Sequence, residues 1–298
     1  MPFSLELPIC KTCGVQFGSD APPEICPICD DPRQYLPPTG QAWTSLRQLS
    51  EEGHRNEIQP VDRDNVPGLY SIITVPKVAI GQRALLMVRP NQGNILWDCV
   101  SFIDDSTVKQ INNLGGIAAI VISHPHFYSS HVEWGQAFNC PVYLSAPDKK
   151  WVMRPGVDEV QKFYSDSITF TKDGANDFVK AVIVGGHFPG SAVCNWNGKH
   201  LFVADSISVV LSGLGRRERL PGTTSFTFMW SYPNFIPLDP DSIHGIWKAI
   251  KNLSFDTVYG GWTGLDVLYE AKARVLESMK IVVKRMGFTD HLLLTEVV

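Results

Sequence analysis

The chain has 298 residues, 44% hydrophobic and 19% charged, with a net charge of −4, a composition that is globular rather than disordered or fibrous. Its lysines and arginines are scattered, which speaks against a nucleic-acid surface. No run approaches the roughly 18–20 apolar residues that a membrane-spanning helix needs.

Residues 1–40 stand apart in character. They hold four of the seven cysteines, in Cys10-Lys11-Thr12-Cys13 and Cys26-Pro27-Ile28-Cys29, among many prolines and glycines. A loop-rich segment of this size cannot build its own core, so a metal is expected to supply the folding energy. The first nine residues lack the basic start and apolar run of a signal peptide. The expected compartment is therefore the reducing cytoplasm, where paired cysteines mean metal rather than disulfides. Residues 41–67 are polar and are expected to wrap across to a main domain spanning 41–298. From about residue 68, apolar β-branched runs predict strands at 69–75, 84–89, 94–97, 117–122, 141–144, 168–170, 179–184, 201–204 and 257–259. Helices are expected at 105–114, 131–138, 241–252 and 265–286. Early strands follow one another closely, as antiparallel pairs do, and later ones alternate with helices, which predicts an α/β layered sandwich. Arg216, Arg217 and Arg219 read as a solvated basic loop.

The cysteine spacing lets two thiolates converge from each tight turn, and two such turns close a tetrahedral site with no open position. The stretch resembles a rubredoxin-type knuckle over roughly residues 8–36. Ligand softness admits Zn2+ or Fe: zinc makes the module structural, and iron would let it pass electrons. Cys99, Cys140 and Cys194 stand singly and read as buried small hydrophobes.

A second group surrounds Ser123-His124-Pro125-His126, which follows the apolar run Ile117–Ile122. On an extended segment, positions i and i+2 face one side, so HxH reads as a two-ligand clamp. Two further strands end in matching chemistry: Val182–His187 runs into Gly-Gly-His187-Phe-Pro-Gly-Ser, and Leu201–Ala204 runs into Asp205. Asp98 closes Ile95–Trp97 in the same way. Polar groups at successive strand ends suggest one shared sheet edge, where loops build sites.

This ordered set resembles the metallo-β-lactamase superfamily over about residues 68–290. The resemblance implies an αββα sandwich preceded by the small four-cysteine metal knuckle, with metal at one edge. His124 and His126 match part of the HxHxDH motif, His187 matches the GHTPGS-like motif, and Asp205 and Asp98 match the motif aspartates. Tyr128 and Ser129 stand where that motif has Asp and His, and Trp262 stands where a last histidine is expected. What survives is a three-histidine site with Asp205, implying one ion with an open position. Asp205 is either a ligand or the carboxylate that orients one. His131 is a candidate to turn inward and compensate, and Asp98 reads as structural. His54, His200, His244 and His291 are expected at the surface.

One catalytic Zn2+ held by neutral imidazoles lowers the pKa of bound water and polarises carbonyls. The expected activity is hydrolysis of an ester, lactone or lactam of a small molecule. Asp205 would take the water's proton, and Tyr128 would donate to the oxyanion or leaving group. Phe127, Tyr128, Trp134, Phe188, Trp230, Tyr232 and Trp262 cluster near the inferred edge and favour a flat aromatic or xenobiotic substrate, with neither nucleic acid nor membrane as partner. The alternatives are an iron-containing oxidoreductase using the rubredoxin-like site, or a binding protein without catalysis that has lost its second metal.

Overall fold

The structure is a computed structural model that describes residues 3–61, 66–171, 177–215 and 219–298. Contacts divide the chain into two units, Met1–Tyr164 and Ser165–Val298, each built on one large sheet.

The first unit carries a seven-stranded sheet in chain order: β1 (Arg55–Pro60), β2 (Leu69–Val75), β3 (Ala84–Met87), β4 (Ile95–Trp97), β5 (Ala119–Val121), β6 (Val142–Ser145) and β7 (Gln161–Tyr164). The first three pairings are antiparallel and the last three parallel. The switch has a covalent cause, since parallel neighbours need long crossovers. Helix α2 (Asp105–Asn113) joins β4 to β5, and α3 (His131–Ala137) joins β5 to β6. Asp104 caps α2 by accepting the Thr107 N–H at 2.8 Å, the role short polar side chains fill at helix starts. A shorter helix, α1 (Leu46–Glu51), precedes the sheet.

Two strands here depart from expectation. Arg55–Pro60 lies in the segment expected to wrap as a polar connection, yet pairs with β2 along its whole length. It is an edge strand, and such a strand is held by its backbone ladder more than by an apolar face. Gln161–Tyr164, on the opposite edge, escapes an apolar-run search for the same reason. The cysteine segment makes backbone hydrogen bonds within this unit, among them Gln16 N to Ser129 O at 3.0 Å and Gly18 N to Met153 O at 3.2 Å.

The second unit has a six-stranded sheet: β8 (Ser167–Phe170), β9 (Val179–Ile183), β10 (Ala192–Trp196), β11 (His200–Phe202), β12 (Thr257–Tyr259) and β13 (Asp266–Val267). All pairings are antiparallel except β11 with β12. It follows that β9, β11 and β12 run the same way, and their C-terminal ends share one sheet edge. Helices α4 (Pro240–Ile250) and α5 (Ala271–Arg285) bury Ile246, Trp247, Val275 and Met279 with Phe226 and Phe228. The helix expected at 265–286 starts later because Asp266 and Val267 are taken into the sheet, pairing with Tyr259 and Val258.

Of the basic cluster, Arg216 and Arg217 lie outside the described residues. Arg219 is engaged, donating to Ser225 Oγ at 2.8 Å and to Glu277 at 2.7 Å. His244 is a correction: it is buried on α4, with Nε2 2.9 Å from Glu296 Oε1. Cys99, Cys140 and Cys194 are buried, as expected. Among the described residues no helix is long and apolar enough to cross a membrane.

Candidate metal centres

The four knuckle cysteines converge in the first unit. Their sulfurs all lie within 4.8 Å of one another, with Cys10 to Cys29 at 3.6 Å and Cys13 to Cys26 at 3.8 Å. A tetrahedral ion with metal–sulfur bonds of about 2.3 Å sets its sulfurs about 3.8 Å apart. The spacing therefore suits one closed tetrahedral ion, and it is too wide for S–S bonds. Hydrogen bonds from the other three thiols hold Cys10 well below the ordinary thiol range. Burial foremost pushes Cys13 up, and the hydrogen bond with Cys10 foremost pushes Cys29 up. Such a cluster cannot hold four thiolates without a cation. Beside it, burial acts to raise the Asp31 carboxyl, but Arg33, hydrogen-bonded at 2.7 and 2.8 Å, and the nearby His126 outweigh it and hold it low.

The parallel strands β4 and β5 end side by side and place the first histidine pair. Asp98 N donates to Val121 O at 2.8 Å, and Asp98 Oδ1 accepts the Ser123 N–H at 2.7 Å. Asp98, buried and left-handed at φ 60, is thus the brace of the strand end that carries His124. The two histidines do not share an extended segment. His124 is extended, but Pro125–Phe127 form a 3-10 turn with proline at its start, where a fixed φ suits a helical turn. The turn still brings the imidazoles together, with centroids 5.4 Å apart, edge to face. Both are buried. His124 Nδ1 is hydrogen-bonded to Ser123 Oγ at 2.9 Å, which makes Nε2 the ligand-competent nitrogen.

The residues that follow have other employment. The Tyr128 hydroxyl is buried and donates to the Asp148 carbonyl at 3.4 Å. Burial, Asp148 and Tyr164 all push its pKa up, so it stays protonated and committed to that carbonyl, away from the expected acid role. Ser129 Oγ receives the Gln82 amide at 2.8 Å and reaches Cys99 O at 3.2 Å. His131 does turn inward, but not to compensate for a lost ligand. Its Nδ1–H donates to Tyr128 O at 2.9 Å and its Nε2 accepts from Gln161 Nε2 at 2.9 Å. With both nitrogens used, burial lowers its pKa to about 4.

In the second unit, β9 runs into Gly185-Gly186-His187 and β11 is followed by Asp205, so both side chains rise from the shared edge. His187 Nε2 lies 3.6 Å from Asp205 Oδ2. The His187 N–H donates to Ser206 Oγ at 3.0 Å and its Nδ1–H to Met229 O at 3.3 Å. Gly186 is needed at φ 87, since a Cβ there would stand 2.9 Å from Leu238 Cδ1 and 3.1 Å from Ser206 Oγ. Tyr232 completes the frame: its hydroxyl donates to Asp205 O at 2.8 Å, and its ring meets the His187 ring at 5.8 Å. Trp262 begins the turn after β12 at the same edge, with Leu265 N donating to its carbonyl at 3.1 Å.

Of the seven aromatics expected to line a pocket, Phe127, Tyr128, Trp134 and Phe188 are buried core, while Trp230, Tyr232 and Trp262 keep exposed surface. The sequence reading missed the groups that fix ligand orientation: Ser123, Ser206 and the Met229 carbonyl. Two were signalled by adjacency, one serine preceding His124 and the other following Asp205.

No protein-family model matches the chain. A Bacillus subtilis (strain 168) protein, Uncharacterized protein YmaE, is 39% identical over 260 residues, covering 86% of this chain and 88% of its own length. Among solved structures, a metallo-β-lactamase from Pontibacter korlensis matches with a TM-score of 0.50 at 13% identity, over 76% of this chain and 99% of its own. A B3 metallo-β-lactamase with an active-site glutamic acid gives 0.49 at 14% identity, over 87% and 98%. Identities this low speak to fold and not to reaction.

Proposed function

This chain belongs to the family of the Bacillus subtilis protein YmaE and has a metallo-β-lactamase fold with an N-terminal four-cysteine knuckle, and on that premise we propose that it is a metal-dependent hydrolase. The observation that carries the reading is a pair of buried ligand groups at strand ends in each unit, His124 with His126 and His187 with Asp205. In both pairs a histidine has its Nδ1 engaged by a neighbour, the arrangement that fixes a metal ligand's tautomer. On the motif resemblance we assign the three histidines to one ion with a position left open for water, and Asp205 to its side as a weak ligand or as the carboxylate that orients one. Three imidazoles and a carboxylate suit Zn2+ among common cations. We favour a single ion there, because Tyr128 and Ser129 are engaged elsewhere and Trp262 stands where the resemblance would put a last histidine.

Bound zinc supplies Lewis acidity and brings the pKa of water toward 7. The chain's own contribution is positional. Asp98 and Ser123 brace His124, Tyr232 and Ser206 brace Asp205 and His187, and the Asp205 carboxylate would take the proton of a water bound beside it. The substrate class we favour is a small ester, lactone or lactam, with Trp230, Tyr232 and Trp262 offering flat apolar surface to an aromatic group. The cysteine site is assigned a second, structural zinc.

Metal analysis and a hydrolysis panel test this together. The expected result is two zinc ions per chain in a colourless protein, one ion and no turnover in His124→Ala, and cleavage of at least one aryl ester, lactone or lactam. A red thiolate–iron absorption would favour the electron-transfer reading. Two ions retained in His124→Ala would end the hydrolase assignment.

A further inference from the structure

The knuckle is built into the first unit. Ile9, Val15 and Ile28, with the four cysteines, are at most 1% exposed, although so short a segment cannot bury itself. The covering comes from loops around the histidine turn. Gly14, at φ 82, lies so close to Ser101 that a Cβ would stand 2.2 Å from its Oγ. The Arg154 guanidinium spans Gln16 Oε1 at 2.6 Å, the buried Glu133 carboxylate, and Ser4 Oγ at 3.2 Å. Most directly, Gln16 N donates to Ser129 O at 3.0 Å.

Ser129 is the residue that makes this contact matter. It comes three residues after His126 and is left-handed, at φ 46. Such a conformation is uncommon for a residue other than glycine and costs free energy that its contacts must offset. Here the surroundings are Gln82 and Cys99 at its hydroxyl and the knuckle at its carbonyl. Glu133, held by Arg154, sits on the first turn of α3, four residues further on.

We propose that the knuckle is a splint for the His124–His126 turn, so that an ion in the cysteine site raises the affinity of the histidine site for its own ion. The proposal rests on the reading of His124 and His126 as ligands. Without its ion the knuckle loses its folding energy, Gln16 releases Ser129, and the turn relaxes out of its strained form. Groups that orient metal ligands from behind are worth about 10- to 100-fold in metal affinity, and that is the size of the coupling. Linkage makes it reciprocal: filling the histidine site tightens the knuckle by the same factor.

Cobalt(II) titration of the full-length metal-free protein tests this, because thiolate charge-transfer bands report the cysteine site and d–d bands without them report the histidine site. In the wild type the histidine-site spectrum should develop only after the thiolate bands. In Cys13→Ser/Cys26→Ser its affinity should fall about 10- to 100-fold. Glu133→Gln/Arg154→Met keeps every thiolate and avoids a stranded charge; its thiolate bands should be intact and its histidine-site affinity reduced. Histidine-site bands that appear first in the wild type, or an affinity within about twofold of wild type in either folded variant, would overturn the proposal. Loss of no band in His124→Ala would instead overturn the ligand assignment beneath it.

Discussion

Replacing Arg154 by Met removes a charge from a place where water cannot compensate. Glu133 has 1% of its side chain exposed and Arg154 12%. The second carboxylate oxygen, Oε2, accepts the Ser4 N–H at 3.0 Å, so both oxygens depend on the protein. Met fills the volume but leaves a buried carboxylate without its cation and Gln16 Oε1 without its donor. Stranding one partner of a buried pair costs about 3–5 kcal/mol, two to nearly four orders of magnitude in the unfolding equilibrium at about 1.4 kcal/mol per tenfold. Glu133→Gln in the same background removes the stranded charge, keeps an acceptor for Ser4, and should recover more than half of the loss. Urea unfolding with hydrogen exchange read at α3 separates this unit from the other. A single-variant cost below about 1 kcal/mol, the size of an exposed pair, would refute the reasoning. So would a double variant no more stable than the single.

Three further outcomes are expected. Tyr128→Phe loses one long hydrogen bond to Asp148 O, so stability should fall by about 1 kcal/mol or less with turnover and metal content unchanged; a large loss of kcat would restore the hydroxyl to the reaction. Gly186→Ala puts a Cβ against Leu238, Ile246 and Ser206 at a left-handed φ, which should cost about 1–3 kcal/mol. Because Ser206 holds the His187 N–H, metal analysis should also show loss of the histidine-site ion. His131 gives a pH dependence: burial lowers its folded pKa to about 4, while the unfolded chain takes the proton near pH 6.5, as free histidine does. The unfolded state thus binds the extra proton first. Stability is full above about pH 6.5 and falls by roughly 3 kcal/mol as the pH drops to about 4. His131→Gln should flatten that limb in urea titrations at several pH values.

The expectations that held depended on residue identity and apolar pattern. The run LYSIITV became β2 over its predicted bounds, and ILW and TVY became strands that bury their apolar faces. The four cysteines were legible because CxxC spacing answers to coordination geometry alone. What escaped was structure made by backbone pairing. The segment RNEIQP has one apolar side chain besides its proline and still forms a full edge strand, because the ladder with β2 supplies what the side chains lack. The buried His244 was illegible for a related reason: a distant acid, Glu296, satisfies it, and no local pattern announces a partner 52 residues away.

The candidate centre shows the same division between what a residue is and what holds it. His124, His126, His187 and Asp205 could be named from motifs, because a ligand must be one of a few residue types. The HxH geometry inferred from an extended strand was wrong in form, yet the pair still meets, because a proline-started 3-10 turn also brings residues two apart together. His131 was open to a ligand role for as long as only its type was known. Two hydrogen bonds, from Gln161 and to the Tyr128 carbonyl, then gave it a structural one. The groups that hold the other candidates in place are a serine hydroxyl beside each motif and the Met229 carbonyl, with the Gln16 N–H at the turn that follows His126, groups that nearly every sequence has in abundance. A motif therefore says which atoms could bind a metal. Whether they are held still enough to do so is decided by neighbours that carry no signature of their own.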